Sequence, residues 1–541
     1  MGWGGNLVKT ASLPMIAALL RAGAVDRAAS LFEAGGFAAN QADPAALAVK
    51  GRLLKAYARR APVVRRQELM GQAAEAYAAA NALAPAPYLA INAATLHLLA
   101  GDGESAESGA QAVLDLLDAP VAPADTPYFL AATRAEARLL LGDEGGARLA
   151  LAQAVAHDPD GWDDRASTLV QLREIIARQG GDPAWLDRFA PPVSLHFAGH
   201  MGLAAGGAGE AELAAELDRL LPQLNIGFAW GALAAGADII IAERLMQSGV
   251  EVHAVLPCPP DRFVLQSVAP AGDAWVARFR ALLDAVASLS VADPDPATRH
   301  DPLATAFAGE LAIGGALRNA ARYAAPACQL IVADEQGGGA NTARQAAMWH
   351  GAMGPRHTLR LARDAAVEAL FPPEQPDPAR VLALHLAIGL DLPERGIGSA
   401  EIAAQTAPIG RALAALPAGT VRASAGLWEL ATTDIGAGLD AIAAVLAACG
   451  QAGTTPPSIG AHLAIGTLLS DPASGTAVPY GPAPDLARRI MRLAPPGLAL
   501  ASDPLAVTLA ARADRRLHCE AWLPDEPDLG GTVHALIPRD Q

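Results

Sequence analysis

Asn225–Pro257, "NIGFAWGALAAGADIIIAERLMQSGVEVHAVLP", decides how the chain is read. It is apolar enough to suggest a membrane span, yet it carries Asp238, Glu243 and several glycines. An uninterrupted run of ~20 apolar residues is what a span requires. The stretch reads instead as a short buried strand, a glycine-punctuated turn, a helix, and a second strand, "VEVHAVLP" (250–257). The same texture recurs on both sides. "VSLHFAGH" (193–200) is a strand ending in glycine, followed by a helix in "GEAELAAELDRLLPQL" (209–224). "CQLIVADEQ" (328–336) is a strand running into "GGGANTARQAAMWHGAMG" (337–354), a glycine-rich loop that opens a helix. Strands alternating with helices imply a doubly wound parallel sheet. In such sheets ligands collect at the carboxyl ends of the strands.

Upstream, residues 1–190 read as helix after helix. "PYLAINAATLHLLAGDGESAESGAQAVLDLLD" (87–118) and "AATRAEARLLLGDEGGARLALAQAVAHDP" (131–159) each hold two helical segments joined by a Gly-Asp turn, Gly101-Asp102 and Gly142-Asp143. Paired helices with small residues where they cross are the physics of a helical-hairpin repeat. Such an array suits a protein partner better than chemistry. Downstream, "FPPEQPDPAR" (371–380) is a proline-rich linker. Beyond it come a strand in "VLALHLAIGL" (381–390), a helix in "GLDAIAAVLAACGQ" (438–451), a strand or hairpin arm in "SIGAHLAIGTLLS" (458–470) and a helix in "APDLARRIMRLAP" (483–495). The order indicates an α+β domain. The expected fold is therefore multidomain: an all-α helical repeat over 1–190, a Rossmann-like α/β doubly wound parallel sheet over 191–372, and an α+β domain over 373–541.

Composition narrows the function classes. The 541 residues carry 40 basic and 56 acidic side chains, a net charge of −16. That balance lacks the electrostatic footprint of a nucleic-acid or anionic-membrane binder. Cys258, Cys328, Cys449 and Cys519 form no CxxC pair, as expected of free thiols in a reducing compartment. The amino-terminal stretch has no clear small-residue cleavage site, so the expected location is cytoplasmic. His196 and His200 are four apart, but a strand entering a loop does not set them on one helix face, and no metal site is expected there.

Three places in the middle region put glycine where a strand hands over to a helix: Gly199, the Gly231–Gly236 turn, and Gly337, Gly338 and Gly339. Backbone amides at a helix start can cradle a phosphate where no side chain blocks approach. Asn341 and Thr342 can cap the helix or donate to that phosphate. The plain alternative is that these glycines only make tight turns. The segments "FAGHMG", "GFAWGALAAGADIIIAERLMQSGVEVHAVLP" and "GGGANTARQAAMW" together resemble a SLOG-type Rossmannoid domain, a superfamily of phosphoribohydrolases and sensors of nucleotide-derived ligands. The resemblance implies that Gly199, Gly231, Gly236, Gly337, Gly338, Gly339 and Thr342 border a nucleotide pocket, and His200 and Asn341 beside them are further nucleotide-binding candidates. The hydrolase branch follows its glycine loop with glutamates. Here Ala343, Arg344, Gln345 and Ala346 follow Thr342, so sensing is expected rather than hydrolysis.

The tail resembles a class III adenylate/guanylate cyclase domain, with a ferredoxin-like core. The matching pieces are "ARVLALHLAIGL", "VRASAGLWELATTDIGAGLDAIAAVLAAC" and, most specifically, "SIGAHLAIGTLLSDPASGTAVPYGPAPDLARRIMRLAPPGLALASDPLAVTLA". Cyclase chemistry needs two Mg²⁺ ions on hard oxygen ligands, chiefly two aspartates. It also needs an arginine for the charge developing on phosphorus, and an asparagine that orients the ribose. Carried over, the two metal aspartates fall at Leu386 and Ala425, and the Asn/Arg pair at Asp485 and Arg489. Only the arginine is kept, so Mg²⁺ is not expected in this domain and no catalytic residue is assigned. The expectation is a signalling protein with a nucleotide-derived ligand in its middle domain. Its cyclase-like domain would be inactive and kept for pairing as a dimer, and a protein partner would sit on the repeats. The alternatives are a cyclase that is active alone or with a partner subunit, base–ribose hydrolysis in the middle domain, and a tetratricopeptide-like scaffold without ligand.

Overall fold

The computed structural model describes residues 11–119, 125–295, 301–371, 375–392, 398–416, 421–424, 426–470, 477–526, 529 and 531–538. The chain forms two compact units, Met1–Pro191 and Pro192–Gln541.

The first unit is helical among its described residues: α1 (Leu13–Arg21), α2 (Val25–Ala34), α3 (Pro44–Arg60), α4 (Val63–Leu83), α5 (Pro87–Ala100), α6 (Gly103–Leu117), α7 (Pro127–Leu140), α8 (Glu144–His157) and α9 (Trp162–Gln179). Each Gly-Asp turn works the same way. The glycine takes a left-handed conformation just past one helix, φ +97° at Gly101 and +77° at Gly142. The aspartate then caps the next helix, Asp102 accepting from Ser105 N at 3.0 Å and Asp143 from Gly146 N at 2.8 Å. The inner faces are alanine-rich; Ala94, Ala110, Ala135, Ala147 and Ala150 pack with Leu151, Leu169 and Leu172. Small side chains let the helix axes approach closely.

The second unit holds two sheets. Sheet A alternates β1 (Val193–Gly199), α10 (Ala208–Leu220), β2 (Ile226–Gly231), α11 (Ala237–Gln247), β3 (Glu251–Leu256), α12 (Pro260–Ser267), α13 (Asp273–Ala285), β4 (Ser288–Val291), α14 (Pro302–Arg322), β5 (Ala327–Ala333), α15 (Ala340–Met348), β6 (Arg356–Arg360) and α16 (Ala365–Glu368). Its strand order is β4-β3-β2-β1-β5-β6, with every pairing parallel. The chain winds outward from β1 to β4, then crosses back to β5 on the other side of β1. That reversal makes the β1/β5 boundary the switch point, where connections leave in opposite directions and open α/β sheets generally place a ligand crevice.

Sheet B comprises β7 (Arg380–Gly389), α17 (Ser399–Leu413), β8 (Val421–Ser424), β9 (Leu427–Thr432), α18 (Ile435–Ala452), β10 (Ser458–Ser470), β11 (Ala477–Tyr480), α19 (Ala483–Leu493), β12 (Ala499–Ala501), α20 (Asp503–Ala511), β13 (Leu517–Glu526) and β14 (Gly531–Pro538). Its order is β13-β14-β12-β10-β7-β9-β8, with β11 paired to β10. It is mixed: β10 and β12 run parallel, the other pairs antiparallel. The apolar helix α18 is long enough to cross a membrane by length and composition. Here its Ile435, Leu439, Ile442 and Val445 stripe lies in the core with Leu384 and Leu430.

The two sheets share α14, for which the sequence pattern gave no assignment. It packs on β1, β2 and β3 of sheet A and on α20 and β7 of sheet B. At the crossing with α20 a Cβ on Gly314 would lie 2.0 Å from the Val507 carbonyl oxygen, so only glycine fits. Beside it, Glu310 of α14 pairs with Arg512, which donates through Nε and Nη2. Arg318 of α14 donates to His534 Nδ1 at 2.9 Å. One apolar cluster runs from Phe307, Leu311 and Ala312 into Leu384, Leu505 and Leu509.

Candidate nucleotide site

The candidate residues of sheet A lie at the carboxyl ends of three adjacent strands, β2, β1 and β5. Gly199 ends β1. Thr342, in the first turn of α15, donates from Oγ1 to the Gly199 carbonyl at 3.1 Å, tying the glycine loop after β5 to the end of β1. Gly236, at φ +97°, faces the β1 end: a Cβ there would lie 2.9 Å from the His200 carbonyl oxygen. The three loops therefore meet.

What fills each glycine's missing side chain differs. Gly231 lies under the Phe197 ring, and Gly199 lies against Ala237 and Val332, so these two make room for the protein's own packing. Gly338 is pressed against the backbone of Ala333. Gly337 and Gly339 face more open space, at φ +103° and +98°. Both are positions where any other residue is strained.

Two aspartates that sequence reasoning did not single out use several of the amides expected for phosphate. Asp238, in the first turn of α11, accepts from Gly199 N at 2.8 Å and from the Ala234 amide. Burial pushes its carboxyl up to about 7, against the pull of those two bonds. Asp334, just past β5, accepts from Gln336 N and Gly338 N, both at 2.9 Å. Those amides and the Arg363 guanidinium hold it down at about 2. Arg363, beyond β6, donates from Nε to Asp334 Oδ2 at 2.5 Å and from Nη1 to Glu368. Arg360 donates to the Asp334 carbonyl at 2.6 Å. An acid closing a strand that enters a glycine loop was the available signal for Asp334. Arg363 has no local signal, because its partner is 29 residues away.

His200 is 3% exposed. Its Nε2 bonds the Leu361 carbonyl at 3.1 Å, so Nε2 carries the proton and Nδ1 is an acceptor. That Nδ1 has no partner among the described residues, and neither does the enclosed Oδ1 of Asn341. Burial lowers the His200 pKa and keeps the ring neutral. His196 serves packing: its ring bonds Gln345 at 2.8 Å and Gln329 at 3.1 Å. Among the described residues no group of three His, Cys, Asp or Glu side chains can hold a metal, and the four cysteines are free. A cavity of about 390 Å³ lies elsewhere, at the amino end of β6 between Trp349, His350 and Arg356.

In sheet B, Leu386 is 2% exposed and pairs with Leu430 and Ala461 across β9 and β10. It belongs to the apolar cluster of α17 and α18. The neighbouring positions point the other way, where Ala387 packs under Ala487 and Met491 of α19. A shift of register by one therefore brings in only His385 or Ala387, both buried. Ala425 lies outside the described residues. α19 crosses the sheet at Gly460, where a Cβ would stand 2.1 Å from the Ala487 carbonyl oxygen. Asp485 projects from its first turn with 66% of the side chain exposed and pairs with Arg488 at 3.4 Å. Arg488 also reaches Glu429 at 3.4 Å. Arg489 is half-buried, without an ion pair among the described residues.

No family model matches the sequence, and no curated protein matches it. Among solved structures, the adenylyl cyclase CyaB from P. aeruginosa is 13% identical, covering 30% of this chain and 96% of its own at a TM-score of 0.25. The adenylate/guanylate cyclase/hydrolase from Silicibacter pomeroyi is 19% identical over 30% of this chain and 99% of its own, at 0.24. The guanylyl cyclase Cya2 is 14% identical over 29% and 92%, at 0.22. Scores this low carry no inference about the fold or chemistry of this chain.

Proposed function

We propose that the chain is a nucleotide-linked signalling protein in which residues 191–372 sense a nucleotide-derived ligand and residues 373–541 form a cyclase-like domain without cyclase activity. The observation that carries the reading is the convergence of three glycine loops at the β1/β5 switch point, joined by the Thr342 bond to Gly199. The SLOG-like resemblance supplies the ligand class. For the second half, Leu386 offers no metal ligand and lies in an apolar cluster. The domain then serves pairing between copies or regulation, and the helical region engages a protein partner.

Titration calorimetry of the full chain with nucleoside mono-, di- and triphosphates tests the sensor reading. Binding of at least one is expected, and binding of none overturns it. Incubation with ATP or GTP and Mg²⁺ should give no cyclic product. Turnover that disappears in Arg489→Ala would place a working cyclase site on α19.

A further inference from the structure

The ends of β1, β5 and β6 hold Arg363 between two of the chain's own acids, and two buried acceptors without donors among the described residues. Arg363 sits where three loops meet. Its Cβ stands 2.9 Å from the place a Gly202 Cβ would occupy in the loop after β1. Its Nη1 is 4.0 Å from the place a Gly339 Cβ would occupy, beside the start of α15. No side chain caps that helix. The guanidinium and the first-turn amides of α15 thus face one small region that only glycine leaves open.

Two carboxylates hold Arg363 there, and they are not equivalent. Asp334 is part of the loop, 14% exposed, and bonded to two amides as well. Glu368 is 50% exposed, on the short α16, and among the described residues its carboxylate bonds only Arg363 Nη1. An incoming anion can take the place of Glu368 without dismantling the loop. Replacing Asp334 would require breaking three contacts at once.

The independent sign of a ligand is the pair of acceptors. Both His200 Nδ1 and Asn341 Oδ1 are enclosed and unbonded among the described residues. Enclosed acceptors without a donor are costly unless something supplies one. A ligand that complements this set brings an anionic group for Arg363 and hydroxyl or amino hydrogens for His200 and Asn341.

Building on the sensor reading above, we infer that Arg363 is the anion-binding residue of the β1/β5 crevice, that it takes a phosphate group in exchange for Glu368, and that His200 and Asn341 accept from hydroxyl or amino groups of the same ligand. Asp334 is the positioning residue that aims the guanidinium.

The test compares AMP, GMP, CMP and UMP with their nucleosides and with inorganic phosphate, by calorimetry on the full chain. A nucleotide should bind at least ~10-fold more tightly than its nucleoside, the scale of a hydrogen bond to a charged group. Arg363→Ala should weaken the nucleotide by ~10–100-fold and leave the nucleoside unchanged. Glu368→Gln removes the competing carboxylate from a half-exposed site and should tighten nucleotide binding several-fold. The opposite signs separate a binding role from a structural one, since a purely structural ion pair would make both variants weaken binding or neither. If Arg363→Ala fails to fold, the sign of the Glu368→Gln effect decides alone. Nucleotide binding that ignores both substitutions overturns this inference and leaves the sensor reading standing. Binding of no nucleotide by the unaltered chain overturns both.

Discussion

The two sheets of the second unit treat charge in opposite ways at their central strands. At the ends of β1, β5 and β6, sheet A places Asp238, Asp334 and Arg363 among glycines, each acid bonded to backbone amides or to the arginine. The middle of β7 in sheet B carries Leu384, Leu386 and Ile388 on one face and Ala387 under α19 on the other. A carboxylate is tolerated in the first setting because loop amides and a guanidinium replace its water. The second setting offers neither. The space around position 386 is given to aliphatic packing, so a carboxylate there meets more than the loss of one leucine.

Leu386→Asp puts that difference under the heaviest load. The new carboxylate would stand between Leu430 and Ala461, two apolar neighbours inside the apolar cluster. The expected cost is roughly 3–5 kcal/mol of stability, read from urea unfolding. No Mg²⁺-dependent turnover should appear. A stable variant that binds Mg²⁺ would show that the strand can still host a metal ligand.

A smaller effect is expected at Asp238, where the carboxylate already exists. Its folded pKa is raised from an ordinary value of 3.8 to about 7. The folded state therefore holds its proton more tightly than the unfolded state does. The stabilisation from that proton is complete below about pH 4 and is lost as pH rises through 7. Asp238→Asn cannot titrate, so the difference in unfolding free energy between the unaltered chain and the variant should change across that window. The expected change is a few kcal/mol at most, falling with rising pH for the unaltered chain. A difference that stays flat from pH 4 to 7 would mean the carboxyl is ionised throughout, held by Gly199 and Ala234 alone.

How much of this was legible in the sequence depended on the distance over which each feature is specified. The strands β1, β3, β5, β7 and β10 follow from local runs of apolar residues. The Gly-Asp turns of the helical region follow from one residue that tolerates positive φ and one that caps. Alternation of strands and helices put the glycine loops at strand ends, but their convergence needed the strand order, which the sequence pattern does not give. What the glycines face did not follow. Gly231 reads like a phosphate loop but accommodates Phe197, and Gly314 answers to Val507 nearly two hundred residues later. The amides of Gly338 and Gly199 are used by Asp334 and Asp238, and a side chain's choice of amide is settled by packing, which periodicity does not encode. Arg363 escaped notice for the same reason.

The mildest test lies on α19, where sheet B does carry exposed charge. Asp485 occupies the position of the ribose-orienting asparagine in the cyclase resemblance. Its side chain is mostly in water, and its pair with Arg488 at 3.4 Å is an exposed contact three residues along one helix. Such pairs and a single charge in a first helical turn contribute little. Asp485→Asn should therefore shift stability by no more than about 0.5 kcal/mol. It restores the resemblance at one position while Leu386 stays apolar, so nucleotide turnover should remain absent with ATP or GTP and Mg²⁺. Were cyclic product to form in this variant, the metal would have to be held by carboxylates outside β7, because β7 carries none. Mixing the variant with an Arg489→Ala copy would then locate the donor of the arginine: turnover that survives dilution into the mutant copy comes from within one protomer, and turnover that falls comes from across a pair.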